Sequence, residues 1–317
     1  MASRRFTDAH DLAHALRDAG VEYVPLRAGP FETTYRVLAL RQVLIQRVED
    51  QPHVVRWAVD PGRALLLLPI AMPVPAFIDG QAVDANGGFL ALSGPERHGL
   101  VSAPVDWAAL SLPEERVAEL LELGGLPAPG AAGSALLRTP PAAARRLQRA
   151  VAEATDLVGS LPPGSAGPEL AVALSNSVND SLFAAFAAAG PQPEIPRATR
   201  AAMRILQRAE AYLAANIARP VHTEELCAVL EVSPRSLHKA FVATCGMSPQ
   251  AYLKRRRLML VHAALKAEAE RPPLVKSVAL GHGFWHLGHF ARDYRALFGC
   301  SPSETAARGR ISGARAA

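Results

Sequence analysis

The chain has 317 residues, half of them hydrophobic, with 34 Lys plus Arg against 29 Asp plus Glu. That length suits two ordinary domains or one large one, and the apolar fraction supplies a sizeable core, which excludes a largely disordered chain. The charge is unevenly held: residues 1–199 carry 16 Arg, no Lys and 21 acids, a net of −5, whereas residues 200–317 carry 18 basic residues against 8 acids, a net of +10. Such asymmetry points to a polyanion-binding module joined to something else; the alternative is a solvated cationic face without a partner.

Cys227, Cys245 and Cys300 are widely spaced and form no CxxC, a pattern for reduced thiols rather than a disulfide framework. The opening MASRRFTDAHDLAHAL lacks the apolar core of a signal peptide. The most apolar run, ALLLLPIAMPVPAFI at 64–78, holds three prolines and is too short to span a bilayer, so it reads as buried strand and turn. A soluble, cytoplasmic protein with no membrane partner is expected.

In chain order, residues 7–19 read as a short helix. From about 21 to 112 the text turns to short apolar or alternating runs (VEYVPL, YRVLALRQVLIQRV, HVVRWAV, ALLLLPI, GFLALSG) punctuated by DPG, DG and NGG. Six or more strands at that spacing predict a sandwich or small barrel. A short helix follows at 113–123, and GGLPAPGAAGS at 124–134 reads as a linker or mobile loop. Helical text resumes at 139–158 and near 168–189, and the Pro-bearing segment 191–199 reads as a stiff hinge.

Beyond the hinge the chain repeats itself at an offset of 53 residues. EELCAVLEVSPRSLHKAFVATCGMSP at 224–249 matches SVALGHGFWHLGHFARDYRALFGCSP at 277–302, pairing Gly-Met-Ser-Pro with Gly-Cys-Ser-Pro, Leu237 with Phe290 and Phe241 with Tyr294. Each copy reads as helix, tight turn, helix. In the first, Thr223 is the expected N-cap, the turn falls near Leu230–Val232, and Ser233 caps a second helix that starts at Pro234. Leu237, Ala240 and Phe241 mark its buried face, leaving Arg235, His238, Lys239 and Val242 outside. That division suits a helix-turn-helix, in which one helix braces and the other enters the major groove.

Between the copies, PQAYLKRRRLMLVHAALKA at 249–267 predicts a helix capped by Ser248. Its eighteen or so residues span about 27 Å, against about 34 Å between successive major-groove faces on one side of a duplex. A rigid helix of that length can hold two reading helices in adjacent grooves.

His282, His286 and His289 would gather three imidazoles if they shared one helix. The repeat breaks that arrangement: His282 falls in the turn, and His286 takes the capping position of Ser233. No metal and no cofactor is expected. The chain also lacks GxSxG, HExxH and a phosphate-cradling Gly loop, so catalysis is not expected.

On the strength of VSPRSLHKAF, GMSPQAYLKRRRL and GHGFWHLGHFARDYRALFGCSPSE, residues from about 203 to 308 resemble the DNA-binding domain of the AraC/XylS family of bacterial transcription regulators. The resemblance implies an α+β multidomain protein. Residues 1–125 would be a β-rich, sandwich or barrel-like effector domain and 126–199 a helical linker and dimerisation layer. Residues 200–309 would be an all-α tandem helix-turn-helix domain, its motifs at about 223–244 and 274–297, with a disordered tail at 310–317. Double-stranded DNA is the implied partner, together with RNA polymerase, an unknown small-molecule effector and a second copy of the chain. Activation of transcription is implied; the competing reading is an effector-independent nucleoid-type binder or a repressor.

The residues expected at DNA are Arg235, Ser236, His238 and Lys239 in the first motif and Lys254, Arg255 and Arg256 on the central helix. In the second motif they are His286, Leu287, Gly288, His289 and Arg292. By carry-over from the family, Leu287 or Ala291 can meet a thymine methyl and Arg292 a guanine or a phosphate, while Gly288 reads nothing itself, so the second motif is expected to position more than to discriminate. For the effector, Arg56, Trp57, Phe77, His98 and Trp107 are candidates by residue type alone.

Overall fold

The computed structural model describes residues 2–27, 29, 31–130, 133–162, 167–190, 195–216, 219–267 and 274–313. The chain divides into two compact units, one formed by Met1–Tyr23 and Glu32–Ile195, the other by Val24–Phe31 and Pro196–Ala317.

The first unit opens with β1 (Ala2–Phe6) and α1 (Ala9–Ala15), the latter capped by Asp8, which accepts from the His10 N–H. Ten strands follow: β2 (Ala19–Pro25), β3 (Thr33–Ala39), β4 (Leu44–Asp50), β5 (His53–Val59), β6 (Arg63–Ala71), β7 (Ala76–Ile78), β8 (Gln81–Val83), β9 (Gly87–Leu92), β10 (Arg97–Val101) and β11 (Val105–Pro113). Then come α2 (Glu114–Leu123), β12 (Ser134–Arg138), α3 (Pro141–Ser160) and α4 (Pro168–Ala187). The strands make a seven-stranded sheet in the order β1-β3-β4-β11-β6-β9-β12 and a five-stranded sheet in the order β2-β5-β10-β7-β8. The expected sandwich or barrel is therefore two antiparallel sheets rather than a closed barrel.

Strand β6 shows why the run at 64–68 is so apolar. Ala64, Leu66 and Leu68 join the core that α2, α3 and α4 lay on one face of the larger sheet, with Leu147, Val151, Leu182 and Phe186. Leu65 and Leu67 alternate to the other face, which meets the smaller sheet at Val55 and Trp57. Both faces of the strand are covered, so its residues are apolar without a gap. Arg47 of β4 is the polar exception on the helical side: its guanidinium contacts Asp106 at 2.7 Å, Asp156 of α3 at 2.8 Å and Thr155 Oγ1 at 3.0 Å.

Four expectations need correction here. Strand β1 lies ahead of the first predicted element and pairs with β3. The segment 124–134, expected as a linker or mobile loop, gives its last residue to β12, which adds an edge strand to the larger sheet beside β9. Helices α3 and α4 consequently belong to the same compact unit as the strands, so the division expected at 125/126 is not where the chain parts. The fourth is at the C-terminus, where a helix runs through Gly313 across part of the predicted disordered tail; residues 314–317 lie outside those described. Residues 191–194 of the predicted hinge also lie outside them.

The second unit is helical: α5 (Arg197–Ala215), α6 (Thr223–Leu230), α7 (Pro234–Cys245), α8 (Pro249–Lys266), α9 (Val275–Gly281), α10 (Leu287–Phe298) and α11 (Pro302–Gly313). Helix α7 packs on α5 and α8, burying Leu237, Ala240 and Phe241, while the Phe241 and Tyr252 rings meet edge to face at 5.5 Å. The second motif repeats this against the other end of α8, where Phe290, Tyr294 and Leu297 close on Leu258, Val261 and Leu265. The motifs also touch through a turn. Gly283 has φ of +78°, and a Cβ there would come within 2.7 Å of Pro220 Cβ, which precedes α6. Only glycine satisfies both the left-handed backbone and the close approach.

All three cysteines are free thiols. Burial pushes the Cys245 thiol up to about 12, which leaves only about one thiolate in ten thousand at pH 8. A disulfide exchange reagent at that pH is expected to label the half-buried Cys227 and Cys300 in the native chain and Cys245 only in denaturant. Three fast equivalents from the native protein would show that α7 opens readily.

Candidate nucleic-acid interface

Each motif builds its exposed face from local rules. In the first, α6 ends on Glu231 in the left-handed region (φ 56°), where the Val232 N–H donates to the Cys227 carbonyl and turns the chain. The helix is capped by His222, one residue before the expected Thr223. Ser233 then caps α7 by accepting from the Ser236 N–H at 3.1 Å, with Pro234 at the first helical position. These locks leave Arg235, Ser236, His238, Lys239 and Val242 exposed on one side of α7. Ser236 is partly engaged in the cap through Ser233 Oγ at 2.9 Å. Among the described residues, Arg235, His238 and Lys239 enter no ion pair.

In the second motif His286 is the N-cap of α10, without a side-chain capping bond. Leu287, Gly288, His289, Ala291 and Arg292 are exposed, and the His286 and His289 rings lie 5.9 Å apart. His282 belongs to the end of α9, where its Nδ1 hydrogen-bonds the Val278 carbonyl at 2.8 Å. The three histidines therefore do not share a helix. Among the described residues no group of three His, Cys, Asp or Glu is arranged to hold a metal ion.

The central helix departs from expectation. Lys254 is half exposed and pairs with Asp293 of α10 at 3.2 Å. Arg255 is half-buried, and burial lowers it from the ordinary arginine range. Arg257 lies over the Phe284 ring, 5.3 Å from its centre. Arg256 is 7% exposed and faces the buried Glu210 of α5 at 3.3 Å, so the DNA contact expected of it is withdrawn. Four consecutive basic residues sweep about 300° around a helix at 100° per residue. A helix packed on both α7 and α9 has no such width to give to solvent, so some of the run must turn inward.

The five effector candidates do not converge. Trp57 and Trp107 line two adjoining hollows between the sheets, about 40 and 20 Å³, together with Val55 and Leu67. Tyr23 and Gln46, which residue type did not single out, line the larger one. Strand alternation carries Arg56 to the other side of β5, where it pairs with Glu22 at 2.9 Å and Glu96 at 3.5 Å. His98 stands opposite Arg56 in register, and its backbone N–H donates to Asp79 at 3.0 Å; Phe77 is 41% exposed. Arg56, His98 and Phe77, expected at the effector by residue type, do not line these hollows with Trp57 and Trp107.

Buried polar groups of this unit differ in how well they are served. Asp50 is fully buried, and desolvation raises its carboxyl pKa against the opposing pull of His53, the Gln51 N–H, Tyr23 and Trp107. Trp57 Nε1 is buried with no hydrogen-bond partner among the described residues.

Two helix-turn-helix motifs with exposed basic outer faces define a DNA-binding module. The comparisons with known proteins agree for this part of the chain: the family model described as "Helix-turn-helix domain" matches residues 226–308. The "XylDLEGF operon transcriptional activator" of Pseudomonas putida is 34% identical over 99 residues, which are 31% of this chain and 31% of the relative. A second P. putida protein, "XylDLEGF operon transcriptional activator 2", is 36% identical over 99 residues, covering 31% of this chain and 63% of its own length. Among solved structures, the "AraC-like transcriptional activator CuxR" aligns over 81% of this chain and 94% of its own at 16% identity and a TM-score of 0.42, a likeness too slight to inform the first unit. Residues 226–308 thus match a helix-turn-helix domain, and about a third of the chain is similar to these activators. The chain spans about a third of the length of the P. putida activator it matches. No helix among the described residues is long and apolar enough to cross a membrane.

Proposed function

We propose that the protein is a sequence-specific, effector-responsive DNA-binding regulator of transcription, acting in the cytoplasm as a homodimer and, on its target promoters, as an activator in contact with RNA polymerase. It is read as a binding protein and not as an enzyme. The observation that carries this reading is the duplicated motif, whose first reading helix leaves Arg235, His238 and Lys239 exposed and, among the described residues, outside any ion pair. Each chain would engage two successive groove faces, and a dimer would call for repeated half-sites.

Arg235→Ala is expected to cost about 1–3 kcal/mol at one base position and to relax preference there. Lys254→Ala is expected to weaken all sequences alike and to lower the salt slope by about one. Fluorescence anisotropy across a salt series, on cognate and scrambled duplexes, separates the two. Equal losses on both duplexes for Arg235→Ala would remove its assignment, and a specificity ratio near one for the wild type would favour a nucleoid-type binder.

The hollow between the sheets supports the effector part of the reading, because an indole N–H buried without an acceptor invites one from a ligand. At its present volume it suits a small, largely apolar molecule only if the sheets part. A thermal-shift screen of the full chain against small apolar molecules bearing one acceptor tests this. A stabilising compound that also stabilises Trp57→Phe to the same extent would place the site elsewhere.

A further inference from the structure

Among the described residues no Lys or Arg pairs with the buried carboxylate of Asp50; its one ion-pair contact is His53. Strand alternation carries Gln46, Val48 and Asp50 to the face of β4 that meets the smaller sheet, where Gln46 and Val48 line the hollow. The Asp50 side chain has no exposure, and that of His53, at the start of β5, has 2%. His53 Nδ1 lies 3.5 Å from Asp50 Oδ2, too far for a good hydrogen bond, but only 2.6 Å from the Gln51 carbonyl. A carbonyl only accepts, so the ring proton sits on Nδ1, and the neutral ring presents Nε2 as an acceptor.

Four polar atoms gather around this point unmet. Asp50 Oδ2, Tyr23 Oη, His53 Nε2 and Trp107 Nε1 are all buried, and among the described residues none closes a hydrogen bond. Tyr23 and Trp107 stand near enough to steady the Asp50 charge, and the Tyr23 ring meets that of His53 edge to face at 4.6 Å. Tyr23 and Trp107 also line the hollow of about 40 Å³, which Trp57 borders with its own unmet indole N–H. On its other side Asp50 helps to wall an open bowl of about 440 Å³, where Glu32, Glu49 and Asp106 outnumber one cation, Arg5. Each buried polar atom left unmet costs free energy, and several in one place call for a shared partner.

The chemistry of that partner follows from the atoms themselves. Asp50 Oδ2, Tyr23 Oη and His53 Nε2 each accept a hydrogen bond, and the carboxylate supplies a negative charge. A carboxylate guest would be repelled, and an alcohol has one hydrogen to give. A primary ammonium has three, and it carries the opposite charge. The aromatic rings beside the site favour a cation further. We infer that the effector is a small organic amine, held as its ammonium by Asp50, Tyr23 and His53, with its apolar body in the hollow towards Trp57. This rests on the effector-responsive reading above and gives the ligand its chemical class. As above, the sheets must part to admit the body.

The test uses the full chain at neutral pH with butylamine and phenethylamine, each beside the alcohol and the carboxylate of the same skeleton. Thermal shift and calorimetric titration read binding. The amines are expected to raise the thermal midpoint and to bind about tenfold or more tightly than the alcohols, the scale of a charge-assisted hydrogen bond, and the carboxylates not to bind. Asp50→Asn keeps the shape and removes the charge. It is expected to keep or raise the thermal midpoint, since burial raises the Asp50 carboxyl and makes its ionised form costly, and to lose the preference for amines. Tyr23→Phe keeps the ring and removes one acceptor, so it is expected to weaken the amines about three- to tenfold. The comparison on the wild-type chain stands whether or not either variant folds. Equal affinity for amine and alcohol, or an amine preference that survives Asp50→Asn, overturns the inference. Binding of an alcohol or a carboxylate alone, weakened by Trp57→Phe, overturns it and leaves the effector reading standing. If neither these probes nor the wider screen stabilises the chain, both fall.

Discussion

Replacing Arg256 with Ala is expected to destabilise the C-terminal unit by about 3–5 kcal/mol, because removing one member of a buried ion pair strands the other in a desolvated site. The guanidinium lies 3.3 Å from Glu210, whose side chain is 2% exposed, and the pair joins α8 to α5. Glu210 also engages the buried Tyr252 hydroxyl, so the strain spreads to the aromatic pair with Phe241. DNA binding is expected to fall only as far as the folded fraction falls, and to return when the temperature is lowered. The double substitution Glu210→Gln with Arg256→Met is expected to recover most of the stability, since it removes both charges together. Chemical denaturation followed by circular dichroism checks this. Full stability with weakened binding for Arg256→Ala would mean that the arginine faces DNA after all.

Tyr294→Ala is expected to cost about as much, roughly 3–5 kcal/mol, through lost packing in the second motif. Its ring packs against Phe290 at 5.6 Å and Phe298 at 4.5 Å. Its hydroxyl adds a second role, meeting His262 Nδ1 at 2.6 Å and donating to Thr305 Oγ1 at 3.0 Å, which ties α10 to α8 and α11. Tyr294→Phe keeps the packing and removes both hydrogen bonds, so it is expected to cost about 1–3 kcal/mol, the penalty for buried polar groups left unmet. A Phe variant as stable as the wild type would show that water serves these groups in its place.

Legibility followed the range of the forces involved. Caps and turns are short-range, so Ser233, Ser248 and the Gly-x-Ser-Pro stops predicted α7, α8 and α10 closely. Strand existence was legible from alternation and turn residues, but β1 and β12 were missed. Each is five residues long and takes its place from a partner elsewhere in the chain, β3 and β9 respectively. The candidate effector residues show the same limit. Arg56 and Trp57 are neighbours in sequence, yet strand alternation places them on opposite faces, and only the pairing of the sheets shows which face is inside.

The amino-acid sequence alone determined the duplicated helix-turn-helix, its buried stripes and its basic character, because capping, period and charge are written within a few residues of where they act. Tertiary structure decided which cations are available and which are spent. A run such as Lys254–Arg257 circles its helix, and only the tertiary position of Glu210 on α5 turned Arg256 inward and left Lys254 half in solvent. Packing likewise separated two glycines of one motif: Gly283 is required by the approach of Pro220, while a Cβ on Gly288 would meet no described heavy atom within 4 Å.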